Sequence, residues 1–240
     1  MRSHRFYTPI NLAIDATMEL PPEAAHHCTQ VLRYKVDDPL TLFNGDGFNY
    51  SATISEINKK QCSVKISEKK NPKNESPLKI HLLQGIARGD KMEFIIQKAV
   101  ELGVTEITPV FTQRSNVRLD EKRLEKKRLH WNKTIISACE QSGRAIIPKL
   151  NMAVPLNQIK KLDFASIYLE PEATKCFSSL EPAGQVNIVI GPEGGFSDDD
   201  LSHLNRIGFD GVRIGPRILR TETAGLSAVS ILQSHFGDLR

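Results

Sequence analysis

The chain has 240 residues, of which 40% are hydrophobic and 25% are charged. This composition excludes a disordered chain or a fibre, and the length allows one large domain or two modest ones. The formal net charge of +4 is too small to establish a nucleic-acid partner by itself. No window approaches the ~18 apolar residues of a membrane helix, and the opening MRSHRFYTPI lacks the apolar region of a secretory signal. We therefore expect a soluble, cytoplasmic protein.

The first elements predict a small β-rich domain. The run PEAAHHCTQVLR reads as a helix with Pro22 in its first turn. LTLFNGDG predicts a strand and a turn, because Asp46-Gly47 suits positive φ angles. The alternating runs YSATISEI and QCSVKISE predict two more strands. Such short strands within about 75 residues suggest a small barrel.

The segment KKNPKNESP carries two prolines and no large apolar residue, so it predicts a linker. We expect one domain over residues 1–70, a linker over 71–77 and a second domain over 78–240.

After the linker, strands and helices alternate, which predicts an α/β domain with a parallel sheet. LKIHLLQG is a predicted strand, and DKMEFIIQKAVELG is a predicted helix capped by Asp90 and ended by Gly103. EITPVF, FASIYLE, VNIVI and GVRIG are further predicted strands. Helices are predicted over residues 120–142, from about Ser197, and over residues 223–236.

The four cysteines, Cys28, Cys62, Cys139 and Cys176, are far apart and form no CxxC pair. A zinc site needs clustered ligands, and a disulfide framework is typical of short secreted chains. We expect reduced, mostly buried thiols and no bound metal.

The first motif that can carry chemistry is GPEGGFSDDD, which begins at Gly191 directly after the strand VNIVI. Ligands of parallel sheets bind where loops leave the carboxyl ends of the strands, and glycines let the backbone approach a ligand closely. Ser197 suits a helix N-cap, and the three aspartates after it suit the positive end of that helix. The loop matches neither GxGxxG nor GxxxxGK[ST], which disfavours nucleotide binding. A tight structural turn remains an alternative.

The second motif is RIGPRILRTETAGLSAVS, which begins at Arg213. Small and acidic residues at a helix start explain part of it as capping. Capping does not explain Arg220, because a basic residue is unfavourable near a helix N-terminus. We therefore take Arg220 as a candidate functional residue.

The third feature is a basic stretch from Arg114 to Lys133, with eight Lys or Arg residues against three acidic ones. A solvated helix face explains residues 122–128, but Arg114 and Arg118 lie in a loop-like segment where arginine can hold phosphate or stack on a base. In the first domain, Arg5 lies beside two aromatic residues, and Arg33 follows the predicted helix. These positions combine basic with aromatic residues and are further candidates for contact with RNA.

Together, GPEGGF and RIGPRILRTETA resemble the C-terminal signature of the RsmE family, the 16S ribosomal RNA uridine-N3 methyltransferases of the SPOUT superfamily. Looser matches occur in the expected order along almost the whole chain: RFY, HHCTQVLR, LFNGDG, KMEFIIQKAVELGV, QRSNVR and CEQSGR. The chain departs from the family pattern at RIGPR, where Ile214 replaces the more usual leucine and Pro216 follows the glycine.

The resemblance implies a PUA-like RNA-binding barrel, a C-terminal domain with a deep trefoil knot, a homodimer, and S-adenosylmethionine as methyl donor. It also implies 16S rRNA or the assembled small subunit as the partner, and no membrane. The implied cofactor-binding residues are Leu169, Glu170, Gly191, Glu193, Gly194, Gly195, Ile214, Gly215, Ile218, Leu219, Arg220, Thr221, Thr223 and Ala224. The implied RNA-binding residues are Arg5, Arg33, Arg114, Arg118 and Arg144.

Methylation of uridine N3 requires loss of the N3 proton, which a positioned base or a nearby cation promotes. We expect Arg220, and secondly Arg114, to stabilise the uracil anion, with Glu222 or Glu193 as the candidate base. Two alternatives stay open: a related methyltransferase acting on another RNA position such as a ribose 2′-oxygen, and a non-catalytic ribosome-assembly factor.

Overall fold

The structure, a computed structural model, describes residues 4–58, 61–115, 120–181 and 184–239. The chain divides into two compact units. The first unit comprises Met1–Glu75 and Cys139–Ile147, and the second comprises Ser76–Ala138 and Pro148–Arg240. The predicted domain bounds stay a prediction, and the nine-residue return of the chain to the first unit was not anticipated from the sequence.

The first unit contains one five-stranded sheet. Its strands are β1 (Arg5–Tyr7), β2 (Thr17–Glu19), β3 (Pro39–Phe43), β4 (Asn49–Ile57) and β5 (Cys62–Lys70). They lie in the order β1-β3-β4-β5-β2, with β1 parallel to β3 and the other neighbours antiparallel. Alternate side chains of β4 and β5 point into one apolar core, as their period-two pattern predicts.

Helix α1 (Pro22–His26) also belongs to the first unit and begins with proline. Proline suits this position because it has no backbone N–H, and an N–H at a helix start would have no partner within the helix. A π-helical turn over His27–Val31 follows it. Together they cover most of the single helix predicted from PEAAHHCTQVLR. Strands β1 and β2, at three residues each, are too short to give a periodic signal and were not predicted.

The second unit contains an eight-stranded parallel sheet, which confirms the predicted α/β class. Its strands are β6 (Lys79–Gly85), β7 (Glu106–Phe111), β8 (Lys149–Leu150), β9 (Val154–Pro155), β10 (Ala165–Leu169), β11 (Lys175–Cys176), β12 (Gln185–Ile190) and β13 (Asp210–Arg213). The order is β11-β13-β10-β12-β6-β7-β8, and β9 also pairs with β7. The order of the strands in the sheet thus places β10 between β12 and β13, so the loops that follow these three strands are neighbours. The implied trefoil knot is not tested by strand order and stays a prediction.

Four helices accompany these strands: α2 (Lys91–Glu101), α3 (Glu121–Ser142), α4 (Asp198–Arg206) and α5 (Thr221–Phe236). Helix α4 begins with the predicted Ser197 cap, completed by Asp200 into a reciprocal capping box. The prediction for α2 was wrong in one respect: Asp90 precedes the helix, but its side chain makes no capping hydrogen bond. Helix α5 begins two residues earlier than predicted. None of the helices built from the described residues is both long and apolar enough to cross a membrane.

Candidate active site

A cavity of about 590 Å³ lies at the carboxyl-terminal edge of the parallel sheet. Its walls come from the loops that follow β10, β12 and β13 and from the first turn of α5. This is the edge at which ligands of open parallel sheets bind, and the volume lies within the range of about 300–1,000 Å³ usual for small-molecule sites. The two motif loops, beginning at Gly191 and Gly215, therefore face one shared space.

Most of the residues predicted to bind the cofactor line this cavity. They are Leu169, Glu170, Gly191, Glu193, Gly195, Ile214, Gly215, Ile218, Leu219, Arg220, Thr221 and Ala224. Gly194 and Thr223 do not line it. Ile218 lines the cavity although its apolar side chain is 85% exposed. The assignment of these residues to cofactor binding stays a prediction, but the structure brings them together.

Gly194 has a structural reason to be glycine. A Cβ at this position would lie 2.8 Å from the carbonyl oxygen of Arg114, closer than carbon and oxygen atoms can approach. The loop after β7 therefore packs directly on the loop after β12, and it carries Arg114 to the cavity wall.

Two aspartates at the start of α4 hold that loop from the other side. The carboxylate of Asp200, which is buried, accepts the backbone N–H of Gln113 at 3.2 Å, and Asp199 accepts the Gln113 side-chain amide at 3.0 Å. We interpreted these acids from the sequence as helix electrostatics. Their second role, as anchors for the segment that presents Arg114, depends on contacts 87 and 86 residues apart in the chain and has no local signal.

A buried amide joins the two motif loops to the centre of the sheet. The Gln84 side chain, at the end of β6, donates to Thr221 Oγ1 at 3.0 Å, and this hydroxyl donates to the carbonyl oxygen of Gly191 at 2.6 Å. Gln84 is fully buried and Thr221 is 5% exposed, so neither bond competes with water. This junction fixes the start of α5 against the loop after β12, and sequence reasoning did not identify Gln84.

Of the catalytic candidates, Arg220, Arg114 and Glu193 line the cavity, whereas Glu222 does not. Arg220 is the exposed residue that precedes α5, with its backbone extended, and Arg114 is also exposed. Glu222 lies in the first turn of α5 with a half-buried side chain. Burial favours the neutral form of Glu193, but hydrogen bonds from the backbone N–H groups of Glu193 and Arg88, together with Lys91, outweigh it and lower the pKa of Glu193.

The cavity wall is basic. Five cationic side chains line it, against two acidic ones, Glu170 and Glu193. The cations are Lys91, Arg114, Arg213, Arg217 and Arg220. Lys91, Arg213 and Arg217 were not identified from the sequence, because lysine at a helix start and arginine at a strand end are ordinary surface residues. Their common position gives a positive field suited to a polyanion.

The arginines predicted to bind RNA in the first unit have different surroundings. Arg33 is exposed, but Arg144 is 3% exposed and holds Glu75 with two hydrogen bonds, at 2.6 and 3.0 Å. Arg5 donates to the carbonyl oxygen of Arg144 at 2.9 Å and lies over the Phe43 ring. The guanidinium groups of Arg5 and Arg144 are thus used within the unit, and this geometry does not favour their predicted contact with RNA. Arg118 lies outside the described residues.

Among the described residues, no group of three or more His, Cys, Asp or Glu side chains is arranged to hold a metal ion. The four cysteines are free thiols. Cys28, Cys62 and Cys139 are buried, while Cys176 is exposed.

Comparison with known proteins identifies the family. The family model described as an RNA methyltransferase domain matches residues 74–233, and one described as an RNA methyltransferase PUA domain matches residues 20–67. The ribosomal RNA small subunit methyltransferase E of Buchnera aphidicola from Acyrthosiphon pisum is 37% identical over 98% of this chain and 95% of its own. The chain belongs to the ribosomal RNA small subunit methyltransferase E family.

Solved structures agree with this membership of the ribosomal RNA small subunit methyltransferase E family. The Neisseria gonorrhoeae enzyme, bound to S-adenosyl methionine, superposes with a TM-score of 0.93 at 35% identity over the whole of both chains. A Legionella pneumophila protein described as a methyltransferase, in complex with the bound cofactor SAM, superposes with a TM-score of 0.94 at 42% identity, again over the whole of both chains. The fold class predicted from the sequence, an α/β domain preceded by a PUA-like domain, is confirmed.

Proposed function

We propose that this chain transfers a methyl group from S-adenosylmethionine to N3 of a specific uridine in 16S ribosomal RNA. The observation that carries the proposal is the cavity that the loops after β10, β12 and β13 form together with the start of α5. Family membership supports the reaction class, and the relatives crystallised with this cofactor support its identity. The choice of uridine N3 rests on the resemblance of GPEGGF and RIGPRILRTETA to the RsmE signature.

The residues present fit the proposed cofactor. Leu169, Ile214 and Leu219 give the cavity apolar walls for an adenine ring, while the backbone of the glycine-containing loops offers donors and acceptors. Glu170 and Glu193 supply negative charge to a site that must take up a cationic ligand. When bound, S-adenosylmethionine supplies an electrophilic methyl group on a sulfonium sulfur.

The chain's own residues have three tasks in this reaction. Arg220, together with Arg114 on the loop after β7, stabilises the negative charge that develops on the uracil ring. A carboxylate, Glu222 or Glu193, accepts the N3 proton. The walls hold N3 in line with the methyl group, and such alignment contributes much of the rate in two-substrate reactions. Because N3 lies on the pairing edge of uracil, the target base must be unpaired or flipped.

The proposed partner is 16S rRNA, free or in the small subunit, which would place the enzyme in the cytoplasm. The basic wall of the cavity supports contact with a polyanion.

We further propose a homodimer. Exposed apolar side chains are available for such a contact: Phe94 on α2 and Leu129 on α3 are 46% and 55% exposed. Glu93 and His130, their neighbours in the chain, bond at 2.8 Å and so place the two residues on adjoining helices.

The test of the function is methylation of small subunits purified from a strain whose 16S rRNA lacks N3-methyluridine. After incubation with the protein and S-adenosylmethionine, nucleoside mass spectrometry should show N3-methyluridine, at one position in the sequence. Methylation of a ribose, or of no nucleoside, would contradict the proposal. An Arg220→Ala protein serves as the negative control.

A further inference from the structure

The start of α4 holds the backbone of the segment that follows β7. This segment, residues 112–115, brings Arg114 to the cavity wall. The Asp200 carboxylate accepts the backbone N–H of Gln113 at 3.2 Å, and the same carboxylate oxygen accepts the N–H of Ser197 at 3.0 Å. Because Asp200 is only 5% exposed, water competes little for these two bonds.

The loop after β12 fixes the same segment from a second side. A Cβ on Gly194 would lie 2.8 Å from the carbonyl oxygen of Arg114 and 3.1 Å from the Arg114 Cβ, so the two backbones pack directly on each other. A turn closes the segment itself, since the N–H of Ser115 donates to the carbonyl oxygen of Thr112 at 3.1 Å. The backbone of Arg114 and the backbone before it are therefore both held.

The Arg114 side chain is exposed and lines the cavity. A long, exposed side chain loses rotamer freedom when it binds. A backbone that is already fixed leaves fewer degrees of freedom to be lost at that moment. Groups placed in advance stabilise developing charge without the cost of reorganisation. The position of the segment thus decides how well Arg114 can act.

We propose that Asp200 is a positioning residue, which fixes the segment after β7 so that Arg114 reaches the uracil ring and stabilises the negative charge that develops there. This inference rests on the proposed function. Asp200 does not line the cavity and acts only through the backbone of Gln113. Arg114 keeps its proton throughout, so no bond forms or breaks at either residue.

Asp200 has a second task, which the controls must separate from the first. It completes the capping box of α4, in which its own N–H donates to Ser197 Oγ at 3.1 Å. Ser197→Ala removes that bond and leaves the carboxylate that holds Gln113. Asp198→Asn removes one negative charge from the same helix start. The two variants are therefore matched controls, one for capping and one for charge.

The decisive experiment is single-turnover methylation of small subunits, with both substrates saturating. Asp200→Ala should lower the rate constant about 10–100-fold, since a misplacement of about 1 Å can cost about 10² in rate. Asp200→Asn should restore most of the rate, because its amide oxygen can still accept the N–H of Gln113. Ser197→Ala and Asp198→Asn should stay within threefold of the unmodified protein. A rate of Asp200→Ala within threefold would overturn the inference.

A double-mutant cycle tests whether Asp200 acts through Arg114. In an Arg114→Ala background, Asp200→Ala should cost less than threefold, because the group that Asp200 positions is already gone. Gly194→Ala displaces the same segment from its other side, so it should cost at least tenfold alone and less than threefold in that background. Losses of Asp200→Ala and Arg114→Ala that multiply would overturn the inference and give Asp200 a structural role only.

A second measurement needs neither RNA nor cofactor. Hydrogen exchange of the Gln113 amide, followed by NMR, should be at least tenfold faster in Asp200→Ala than in the unmodified protein, because the amide has lost its acceptor. In Ser197→Ala it should change by less than threefold. Equal protection of this amide in Asp200→Ala and the unmodified protein would overturn the inference. If Asp200→Ala does not fold, Asp200→Ser, whose polar side chain is shorter, repeats each test.

Failure of the inference and failure of the proposed function are distinguishable. If the unmodified protein forms no N3-methyluridine, the proposed function fails. If it forms N3-methyluridine and Asp200→Ala matches Ser197→Ala in rate, only the role of Asp200 fails.

Discussion

At the scale of single residues, the four cysteines differ in burial and in the pKa of the thiol. Burial raises the pKa of Cys28 and of Cys139 to about 12, and it raises the pKa of Cys62 as well. Cys176 is exposed, and a hydrogen bond with Ser178 lowers its pKa. Because the thiolate is the reactive form, chemical reactivity in the folded protein should be confined to Cys176.

We predict that iodoacetamide at pH 7.5 modifies Cys176 in the native protein and leaves the other three cysteines unmodified. Peptide mass spectrometry gives the site and the extent of alkylation. A denatured sample, in which all four thiols react, is the control. Modification of Cys28 or Cys139 at a rate similar to that of Cys176 would show that the interior of the first unit is open to solvent.

Arg220 carries the second prediction at this scale. It lines the cavity, is exposed, and immediately precedes α5. Removal of one preorganised group that stabilises developing negative charge typically costs about 10²–10³ in rate. Arg220→Ala should therefore reduce the single-turnover rate by this factor, while calorimetry shows an affinity for S-adenosylmethionine within about threefold of the original. An unchanged rate would remove Arg220 from the catalytic residues.

At the scale of elements, the site depends on a close approach between two strand ends. A Cβ on Gly85, the last residue of β6, would lie 2.5 Å from the backbone nitrogen of Pro192 in the loop after β12. A Cβ on Gly215 would have open space around it. Gly85 and Gly215 thus have opposite tolerance for a side chain.

Gly85→Ala should destabilise the protein by about 1–3 kcal/mol, because backbone atoms must shift to remove the clash. Gly215→Ala should change the free energy of unfolding by no more than about 0.5 kcal/mol. Urea unfolding followed by circular dichroism measures both. Equal stability of the two variants would contradict the packing of the loop after β12 on the end of β6.

The sequence was most informative for elements with a strong periodic or compositional signal. β12, a mainly apolar run, and the Ser197 N-cap of α4 were both predicted correctly. The wall of the site at the loops after β12 and β13 was also predictable, because motif residues follow those strands directly. Gln84 and Lys91 were not, since their roles arise from contacts more than 100 residues away in the chain, which no local pattern reports.

At the scale of the whole molecule, the first unit is discontinuous in sequence. Residues 139–147 belong to it, and they supply partners that residues 1–75 need. Arg144 pairs with Glu75, Glu140 accepts the backbone N–H of Tyr7 at 3.0 Å, and the carbonyl oxygen of Ala145 accepts the N–H of Gly47. A fragment that ends before the second domain loses all of these bonds.

We predict that the isolated fragment 1–75 unfolds at a markedly lower temperature than the same residues do within the full chain. Buried polar groups left without partners cost about 1–3 kcal/mol each. Hydrogen exchange of the β1 and β3 amides, measured in both proteins, reports the difference for the same residues. Equal protection in fragment and full chain would show that residues 139–147 contribute nothing to the stability of the unit.

The central claim is that the cavity between the loops at Gly191 and Gly215 holds S-adenosylmethionine. Isothermal titration calorimetry tests it on the unmodified protein and on Gly215→Trp, which fills the cavity from a position where the backbone tolerates a side chain. We predict one site per chain in the unmodified protein, and an affinity at least a hundredfold weaker in Gly215→Trp with the fold intact by circular dichroism. Equal binding by the two proteins, or none by the unmodified one, would contradict the account.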